Sequence, residues 1–228
     1  MLKLVETFLK QDVLDDLRQW MPEQGCPQGA VISPLLSNVY LNPLDHLMAE
    51  SGFEMVRYAD DFVILCQTCQ DAERALTVVQ QWTAAAELTL HPQKTRIVNA
   101  AEESFDFLGY SFMCGYRYPR KKSPQKLKET IRQQTRRTNG RSLCCTIAGL
   151  NRTLRGWFAY FLYCQPCTDP PLDGWIRMRL WSILREHHRG KGCGQGWDHQ
   201  RWPNAFFPAQ GLYSLQQAHA NVSQSSWR

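Results

Sequence analysis

Two adjacent carboxylates, Asp60 and Asp61, stand at the junction of two short runs rich in aromatic and β-branched residues, residues 53–58 and 62–65. Runs of this composition with polar residues between them predict a β-hairpin whose tip carries the acidic pair. Aspartates in a turn often do no more than hydrogen-bond the local backbone. Because residues 62–65 are all apolar, however, we expect a strand that is buried on both faces and holds the two acids rigidly.

The chemistry that such a pair favours is phosphoryl transfer with metal ions. Two like charges held side by side repel each other, and a divalent cation relieves the repulsion. In two-metal catalysis one ion activates the attacking hydroxyl and the other stabilises the leaving pyrophosphate, and both ions need carboxylate ligands. We therefore predict Asp60 and Asp61 as catalytic residues and as ligands in a two-metal Mg²⁺ site.

The residues around the acidic pair resemble two motifs of one protein family. Tyr58-Ala59-Asp60-Asp61 resembles the signature of reverse transcriptases, and Pro27-Gln28-Gly29-Ala30-Val31-Ile32-Ser33-Pro34 precedes it at a suitable distance. Both resemble the group II intron-encoded reverse transcriptase and maturase family. The resemblance implies contacts to the template or the incoming nucleotide from Pro27, Gln28, Gly29, Tyr58 and Ala59. On its own, the earlier segment predicts a tight loop in which Gly29 permits close approach of the backbone.

Two later segments resemble the same family. His91-Pro92-Gln93-Lys94-Thr95 is similar to a palm motif whose lysine can protonate pyrophosphate, which implies that Lys94 is the general acid. Without the resemblance, a lysine after a turn indicates a solvated surface charge. Phe107-Leu108-Gly109-Tyr110 is similar to the primer-grip strand, which implies primer contacts for Leu108, Gly109 and Tyr110. A strand glycine alone indicates a bulge or tight packing.

Charge is distributed unevenly along the chain. Up to Tyr110 there are 7 basic and 16 acidic residues, and beyond it there are 19 and 5. Clustered Lys and Arg bind phosphates by releasing condensed counterions, so the second half suits a polyanion; a merely solvated basic surface is the alternative. Residues 117–141 hold ten Lys or Arg and a single acid. The RNA-binding residues that we predict there are Arg120, Lys121, Lys122, Lys126, Lys128, Arg132, Arg136 and Arg137.

The remainder of the second half also resembles the family. Residues 117–141 and 150–161 are similar to its thumb and maturase region, which grips intron RNA. We expect the aromatic residues of 150–161 to form core rather than a base-stacking platform. Further along, arginines alternate with Trp175, Trp181 and Trp197, a composition suited to structured or single-stranded RNA.

The residue pattern predicts an α+β fold. Apolar residues at helical spacing from Val5 to Trp20 predict an amphipathic helix. Ser33 and Pro34 are a good N-cap and first-turn pair for the next helix, which Pro43 kinks or restarts. We further predict a helix over residues 71–86, strands over 88–90, 95–98 and 105–112, the last broken by Gly109, and only helices from Pro124 onward.

The family resemblance implies a partial right-hand polymerase palm over residues 1–118, a helical thumb and maturase RNA-binding region over 119–200, and a C-terminal extension over 201–228. A polymerase site of this kind needs a third carboxylate, which in the family lies in a motif resembling Asp-Ile-x-x-Phe-Phe-Asp. No such segment is present, and Asp12, Asp15 and Asp16 lie on the predicted first helix instead. We therefore expect an N-terminally truncated family member with little activity alone, for which a separate upstream palm and fingers chain is a candidate partner.

The cysteines raise the question of a zinc site. Nine cysteines in a chain of this size indicate reduced thiols and a cytoplasmic location. Cys66 with Cys69, and Cys164 with Cys167, have the CxxC spacing that could complete one tetrahedral site. The long separation of the two pairs disfavours it. No apolar run is long enough for a membrane span.

We predict a fragment of an RNA-directed DNA polymerase from a mobile element. It would extend a DNA primer on an RNA template with deoxynucleoside triphosphates and would assist the splicing and mobility of a group II intron through the intron RNA. Two alternatives stay open: a non-catalytic RNA-binding maturase remnant, and a zinc-stabilised nucleic-acid-binding protein.

Overall fold

The computed structural model describes Lys3 and residues 6–7, 13–15, 18–20, 32–166, 169–188 and 196–225. The chain divides into two compact units, Met1–Ile97 and Val98–Arg228. The boundaries predicted after residues 118 and 200 separate functional regions of the resembled family, whereas these two units are defined by how compactly the chain packs. The predicted boundaries therefore stay a prediction. None of the described helices is long and apolar enough to cross a membrane.

The first unit contains a short antiparallel hairpin, β1 (Val13–Asp15) and β2 (Arg18–Trp20). The predicted amphipathic helix is therefore wrong in its second half, and Asp15 lies on a strand. Val13 and Trp20 are seven residues apart, which fits two helical turns. The same spacing places them directly opposite each other in the hairpin. A short apolar pattern of this kind cannot distinguish a helix from a pair of strands.

The helix α1 (Ser33–Glu50) differs from its prediction at two prolines. Pro34 lies in the first turn as predicted, but Ile32 rather than Ser33 is the N-cap residue. Pro43 lies inside α1, and the helix runs through it without restarting. A proline removes one backbone hydrogen bond, and the turns after it are held by tertiary packing, since Leu44 and Met48 are completely buried.

Two strands, β3 (Glu54–Tyr58) and β4 (Asp61–Leu65), and the helix α2 (Cys69–Ala85) complete the first unit. Leu44 and Met48 of α1 pack with α2, and the core-facing side chains of the hairpin cover them; these are Met55, Phe62 and Ile64. The other face of the two-stranded sheet is open, because Leu65 is 50% exposed. The prediction that residues 62–65 form a strand buried on both faces is therefore wrong for β4.

The strands predicted over residues 88–90 and 95–98 are absent, and the described chain there is irregular, with turns at residues 86–87 and 92–94. The backbone N–H of Leu88 donates to the Thr83 carbonyl at the end of α2 (2.8 Å). The N–H groups of Lys94 and Thr95 both donate to the His91 carbonyl (3.2 and 3.0 Å). These local bonds use backbone groups that a strand would present to a neighbour.

The second unit opens with a three-stranded antiparallel sheet, β5 (Phe105–Phe107), β6 (Tyr110–Met113) and β7 (Tyr116–Pro119). The predicted single strand over residues 105–112 is instead a tight hairpin. Leu108 and Gly109 form its two-residue turn with φ of +48° and +79°. Positive φ at both central positions is the geometry of a type I′ turn, which reverses the chain rather than bulging it.

Helices form the rest of the second unit, so the prediction of helices and no strands from Pro124 onward is confirmed for the described residues. They are α3 (Lys122–Gln134), the 3₁₀ helix η1 (Arg137–Asn139), α4 (Leu143–Tyr160), α5 (Asp169–His187), α6 (Gly196–Arg201), α7 (Phe206–Ala209) and α8 (Leu215–Ser225). The largest fully buried side chains of this core include Ile131, Leu150, Leu154, Ile176, Leu180, Phe207 and Leu215. The mixed helix and strand composition agrees with the predicted α+β class.

A buried carboxylate of α5 holds the C-terminal helix α8. Asp173 is 5% exposed and accepts hydrogen bonds from Ser214 Oγ (2.7 Å) and from the backbone N–H groups of Leu215 and Gln216 (3.2 Å each). It therefore satisfies the first N–H groups of α8 from a neighbouring helix, as an N-cap residue would.

Replacing this cap should destabilise the second unit. In Asp173→Ala the buried N–H groups of α8 lose their acceptor, and we expect the free energy of unfolding to fall by about 2 kcal/mol. Asp173→Asn keeps one acceptor oxygen and should lose less. Urea unfolding followed by circular dichroism measures both changes, and equal midpoints for the wild type and Asp173→Ala would contradict the capping role.

Candidate active site and nucleic-acid interface

The hairpin of β3 and β4 presents the acidic pair at its tip, as predicted. Tyr58 pairs with Asp61, so Ala59 and Asp60 form a two-residue loop. Ala59 has a φ of +54°, the left-handed conformation that tight hairpin turns require at their first position. Asp60 and Asp61 are both exposed to solvent.

Arg57 braces this loop. Its Nη1 donates to the Ala59 carbonyl oxygen (2.8 Å) and to Asn38 Oδ1 of α1 (3.0 Å). Its Nε donates to Asp45 Oδ1 of α1 (2.7 Å), and its Nη2 pairs with Asp45 Oδ2. A bidentate guanidinium–carboxylate contact fixes orientation as well as distance. One side chain therefore ties the loop that carries Asp60 to α1.

The charges of Arg57 and Asp45 also balance each other. The hydrogen bond from Arg57 lowers the pKa of Asp45 below its ordinary range, against an opposing effect of burial. The same contact raises the pKa of Arg57. Because Asp45 neutralises Arg57, the guanidinium does not neutralise the acidic pair, and the charges of Asp60 and Asp61 stay available for another cation.

The donor chemistry of the acidic pair suits Mg²⁺, which prefers hard carboxylate oxygens. The pair is nevertheless a partial ligand set: among the described residues, no three His, Cys, Asp or Glu side chains come together to hold a metal ion. Asp60 and Asp61 therefore fit as two ligands of a site that needs at least one more carboxylate.

The structure describes only some of the other predicted palm residues. Pro27, Gln28 and Gly29 lie outside the described residues, as do Asp12 and Asp16. Tyr58 lies next to the acidic loop and is 67% exposed. Lys94 is exposed in a turn, and it forms no ion pair with either aspartate in the part of the chain that the structure describes.

Of the predicted primer-grip residues, Leu108 and Gly109 form the turn between β5 and β6 and Tyr110 begins β6, and Tyr160 of α4 bonds to this turn. Tyr160 OH donates to the Leu108 carbonyl (2.6 Å), and Tyr110 OH donates in return to the Tyr160 carbonyl. The two tyrosine rings stack with centroids 5.6 Å apart. The backbone N–H of Arg120 donates to the Gly109 carbonyl (2.9 Å). The turn is therefore held in place from both sides.

Sequence reasoning missed the role of Tyr160, because it treated the aromatic residues of α4 as one group. Phe158 and Phe161 are core residues as expected, with exposures of 8% and 5%. Tyr160 is 54% exposed and points to the turn instead. A helical-wheel count places Tyr160 apart from Leu150, Leu154 and Phe158, and this is the signal that could have separated it.

The predicted RNA-binding residues lie on and around α3. Leu127 and Ile131 of α3 face the core, at 5% and 0% exposure, and the opposite face is basic. Arg120 forms an ion pair with Asp106 (2.8 Å). Most of the others are exposed: Lys121, Lys122, Lys126, Arg132, Arg136 and Arg137. Lys128 is half-buried.

The arginines and tryptophans of the C-terminal part separate into structural and surface residues. Trp181 is 6% exposed and donates through Nε1 to the Trp202 carbonyl (2.9 Å), so it belongs to the core. Arg185 pairs with Asp198 (3.2 Å). Trp197 is 85% exposed and stays available for a partner. Composition alone could not make this distinction, because tryptophan and arginine serve both purposes.

The cysteine pairs give no support for zinc. Cys66 is half-buried, and burial raises the pKa of its thiol, which disfavours the thiolate that zinc needs. Cys69 Sγ lies 3.9 Å from Glu73 Oε1. Cys164 is buried in the second unit, and Cys167 lies outside the described residues.

Comparison with known proteins identifies the class. The Reverse transcriptase (RNA-dependent DNA polymerase) family matches residues 3–112, and the maturase-specific domain of group II introns matches residues 124–202. The two matches follow each other in the order of the acidic hairpin and the basic helices, which defines a reverse transcriptase joined to a maturase domain. The chain belongs to the group II intron reverse transcriptase and maturase family.

A retrotransposon protein is also similar to part of the chain. The retrovirus-related Pol polyprotein from type-1 retrotransposable element R1 2 of Nasonia vitripennis is 31% identical over 77 residues. The match covers 31% of this chain and 19% of that protein, so the chain spans about a fifth of the length of this relative.

The Arg57 brace should be essential to the first unit. Arg57→Gln removes the charge-assisted bonds to Asp45 and Ala59, and we expect the free energy of unfolding to fall by about 2 kcal/mol. Above the ordinary carboxylate pKa of about 4 the loss should be constant, and the part of it that comes from the pair with Asp45 should disappear as the pH falls through the lowered pKa of Asp45, while the part from the Ala59 carbonyl stays. Denaturant unfolding of both proteins over a pH series measures this.

Arg74→Gln is the matched control for Arg57→Gln. It removes an arginine of the same unit whose pair with Asp71 is exposed, because the Arg74 side chain is 71% accessible. Such pairs contribute little, so the unfolding midpoint should barely move. An equal effect of the two substitutions would mean that the brace has no special role.

The lock on the primer-grip turn should be visible in hydrogen exchange. Tyr160→Phe keeps the ring but removes the donor to Leu108, so we expect faster amide exchange around residues 108–110 and a loss of about 1 kcal/mol. Tyr163→Phe is the control, since Tyr163 is 67% exposed and its ring contact with Arg117 does not need the hydroxyl. Unchanged exchange in Tyr160→Phe would show that the bond does not hold the turn.

Proposed function

We propose that this chain carries part of the active site of an RNA-directed DNA polymerase that extends a DNA primer on an RNA template with deoxynucleoside triphosphates. The observation that carries this proposal is the exposed Asp60-Asp61 pair on a hairpin loop that Arg57 braces against α1. Membership of the group II intron reverse transcriptase and maturase family supports the same reaction class.

Each predicted residue has a defined role in this proposal. Asp60 and Asp61 hold Mg²⁺, which supplies activation of the primer hydroxyl and stabilisation of pyrophosphate when it is bound. Lys94 donates a proton to the leaving pyrophosphate as general acid. Contacts to the template and nucleotide come from Pro27, Gln28, Gly29, Tyr58 and Ala59, and contacts to the primer come from Leu108, Gly109 and Tyr110.

The basic second unit binds intron RNA in this proposal and thereby assists splicing and mobility. The exposed basic face of α3 supports it, because its lysines and arginines have few acidic neighbours. Helices that present a cationic stripe to solvent bind phosphates mainly through counterion release.

One observation favours a second candidate, a maturase remnant that binds RNA without polymerising. The acidic pair is an incomplete metal site among the described residues, whereas the basic face needs no further component. Loss of one ligand typically removes most two-metal catalysis, so RNA binding could persist without polymerisation.

Primer extension with Mg²⁺ on an RNA template tests the choice. We expect Asp60→Asn to abolish any extension by the wild-type chain, while Asp71→Asn, which alters a half-buried aspartate of α2 in the same unit, should not. A further arm adds a palm fragment with an Asp-Ile-x-x-Phe-Phe-Asp motif to supply a carboxylate.

Three outcomes are informative. Extension that requires Asp60 supports the polymerase, with or without the added fragment. Extension that persists in Asp60→Asn would remove the acidic pair from the mechanism. Silence in every arm, with salt-sensitive RNA binding intact, would establish the non-catalytic remnant instead.

A further inference from the structure

Four cationic side chains of α3, η1 and α5 lie near the second half of α3, and two of them share an aromatic ring of α5. Lys128 Nζ and Arg132 Cζ of α3 lie 5.8 and 5.5 Å from the centroid of the Trp175 ring. Arg179, one turn further along α5, donates through Nη2 toward the Arg132 carbonyl (3.5 Å). Arg137 belongs to η1, which packs against α5, and it is close enough to Arg179 to affect it electrostatically. These residues are called the α3–α5 cation cluster below.

Arg179 is held rigidly without an acidic partner. Its Nε donates to Thr135 Oγ1 and its Nη2 to the Thr135 carbonyl, both at 3.0 Å. Thr135 is only 1% exposed, so this anchor belongs to the core. The guanidinium is therefore oriented by neutral groups, and its charge is not cancelled by a carboxylate.

Capping of α3 explains the bonds of Arg179 but not the charge of the cluster. The carboxyl end of a helix carries about half a negative charge, which leaves about three and a half positive charges among the four side chains. None of the four forms an ion pair with a carboxylate in the described part of the chain. Burial, together with the nearby Arg137 and Arg132, lowers the pKa of Arg179, as expected where positive charge is in excess.

We propose that Lys128, Arg132, Arg137 and Arg179 form a binding site for successive phosphates of an RNA backbone, with Trp175 as its floor. About three and a half unbalanced charges match two or three singly charged phosphodiesters better than one. The ring keeps Lys128 and Arg132 in place by cation–π contact, which lowers the entropy lost on binding. This inference rests on the proposed RNA binding and adds Trp175 and Arg179 to the residues that sequence alone indicated.

Two double variants that each remove two positive charges test the site. Arg132→Gln/Arg137→Gln changes two exposed members of the cluster and leaves the Arg179 anchor intact. Arg155→Gln/Arg201→Gln is the control, because both arginines are exposed and lie over aromatic rings, 5.6 Å from Tyr213 and 4.9 Å from Trp202, outside the cluster. Binding of a fluorescein-labelled RNA hairpin is measured by anisotropy over a series of salt concentrations.

We expect the cluster variant to bind RNA about tenfold more weakly at low salt, and the slope of log K against log salt to shrink by roughly two, since each lost phosphate contact removes about one. The control should lose less than about threefold through general charge alone. Inorganic tripolyphosphate at constant ionic strength should raise the melting temperature of the wild type and the control, and not that of the cluster variant.

Equal losses in the two double variants would overturn the site while RNA binding by the chain stands. Absence of RNA binding by the wild type would overturn both this inference and the proposed RNA binding. Circular dichroism verifies folding of each variant, and Arg137→Gln alone, which changes an exposed residue of η1, must give a smaller loss in the same direction if the double variant proves unstable.

Discussion

The bidentate contact between Arg57 and Asp45 decides where the acidic pair stands, because it joins α1 to the hairpin whose loop carries Asp60. The same guanidinium bonds the carbonyl of Ala59, which adopts a left-handed conformation. That conformation costs a non-glycine residue about 1–2 kcal/mol, and a hydrogen bond to a charged donor contributes about 1.5–3 kcal/mol. The brace therefore offsets the strain of the turn that it supports.

A similar division between anchor and free surface recurs in the second unit. Tyr160 and Arg120 hold the turn at Gly109 through its backbone, so the turn is shaped by its neighbours. Arg179 is anchored by the buried Thr135, while Arg132 and Arg137 of the α3–α5 cation cluster are exposed to solvent. In both units neutral or balanced contacts fix the geometry, while uncompensated charge lies at the surface, negative at the hairpin loop and positive at α3.

Predictions from the sequence succeeded where the pattern was local and strong. The acidic hairpin, the helix after it and the helical second half all carry periodic apolar residues or a sharp turn signal. They failed where a short segment fits two structures. Val13 to Trp20 fits a helix and a hairpin equally, and the apolar residues near Leu88 suggested a strand, whereas the Leu88 N–H bonds back to the end of α2. Gly109 was expected to break a strand, and with Leu108 it reverses the chain.

By itself the sequence determined the family, the acidic pair and the basic character of the second half, because motifs and charge are properties of residue type and spacing. Only the tertiary structure decided which residues support them. Arg57 and Asp45 are twelve positions apart, Tyr160 and Leu108 fifty-two, and Arg179 and Thr135 forty-four. Hydrogen bonds over such separations depend on how helices and strands pack, and no local pattern encodes them.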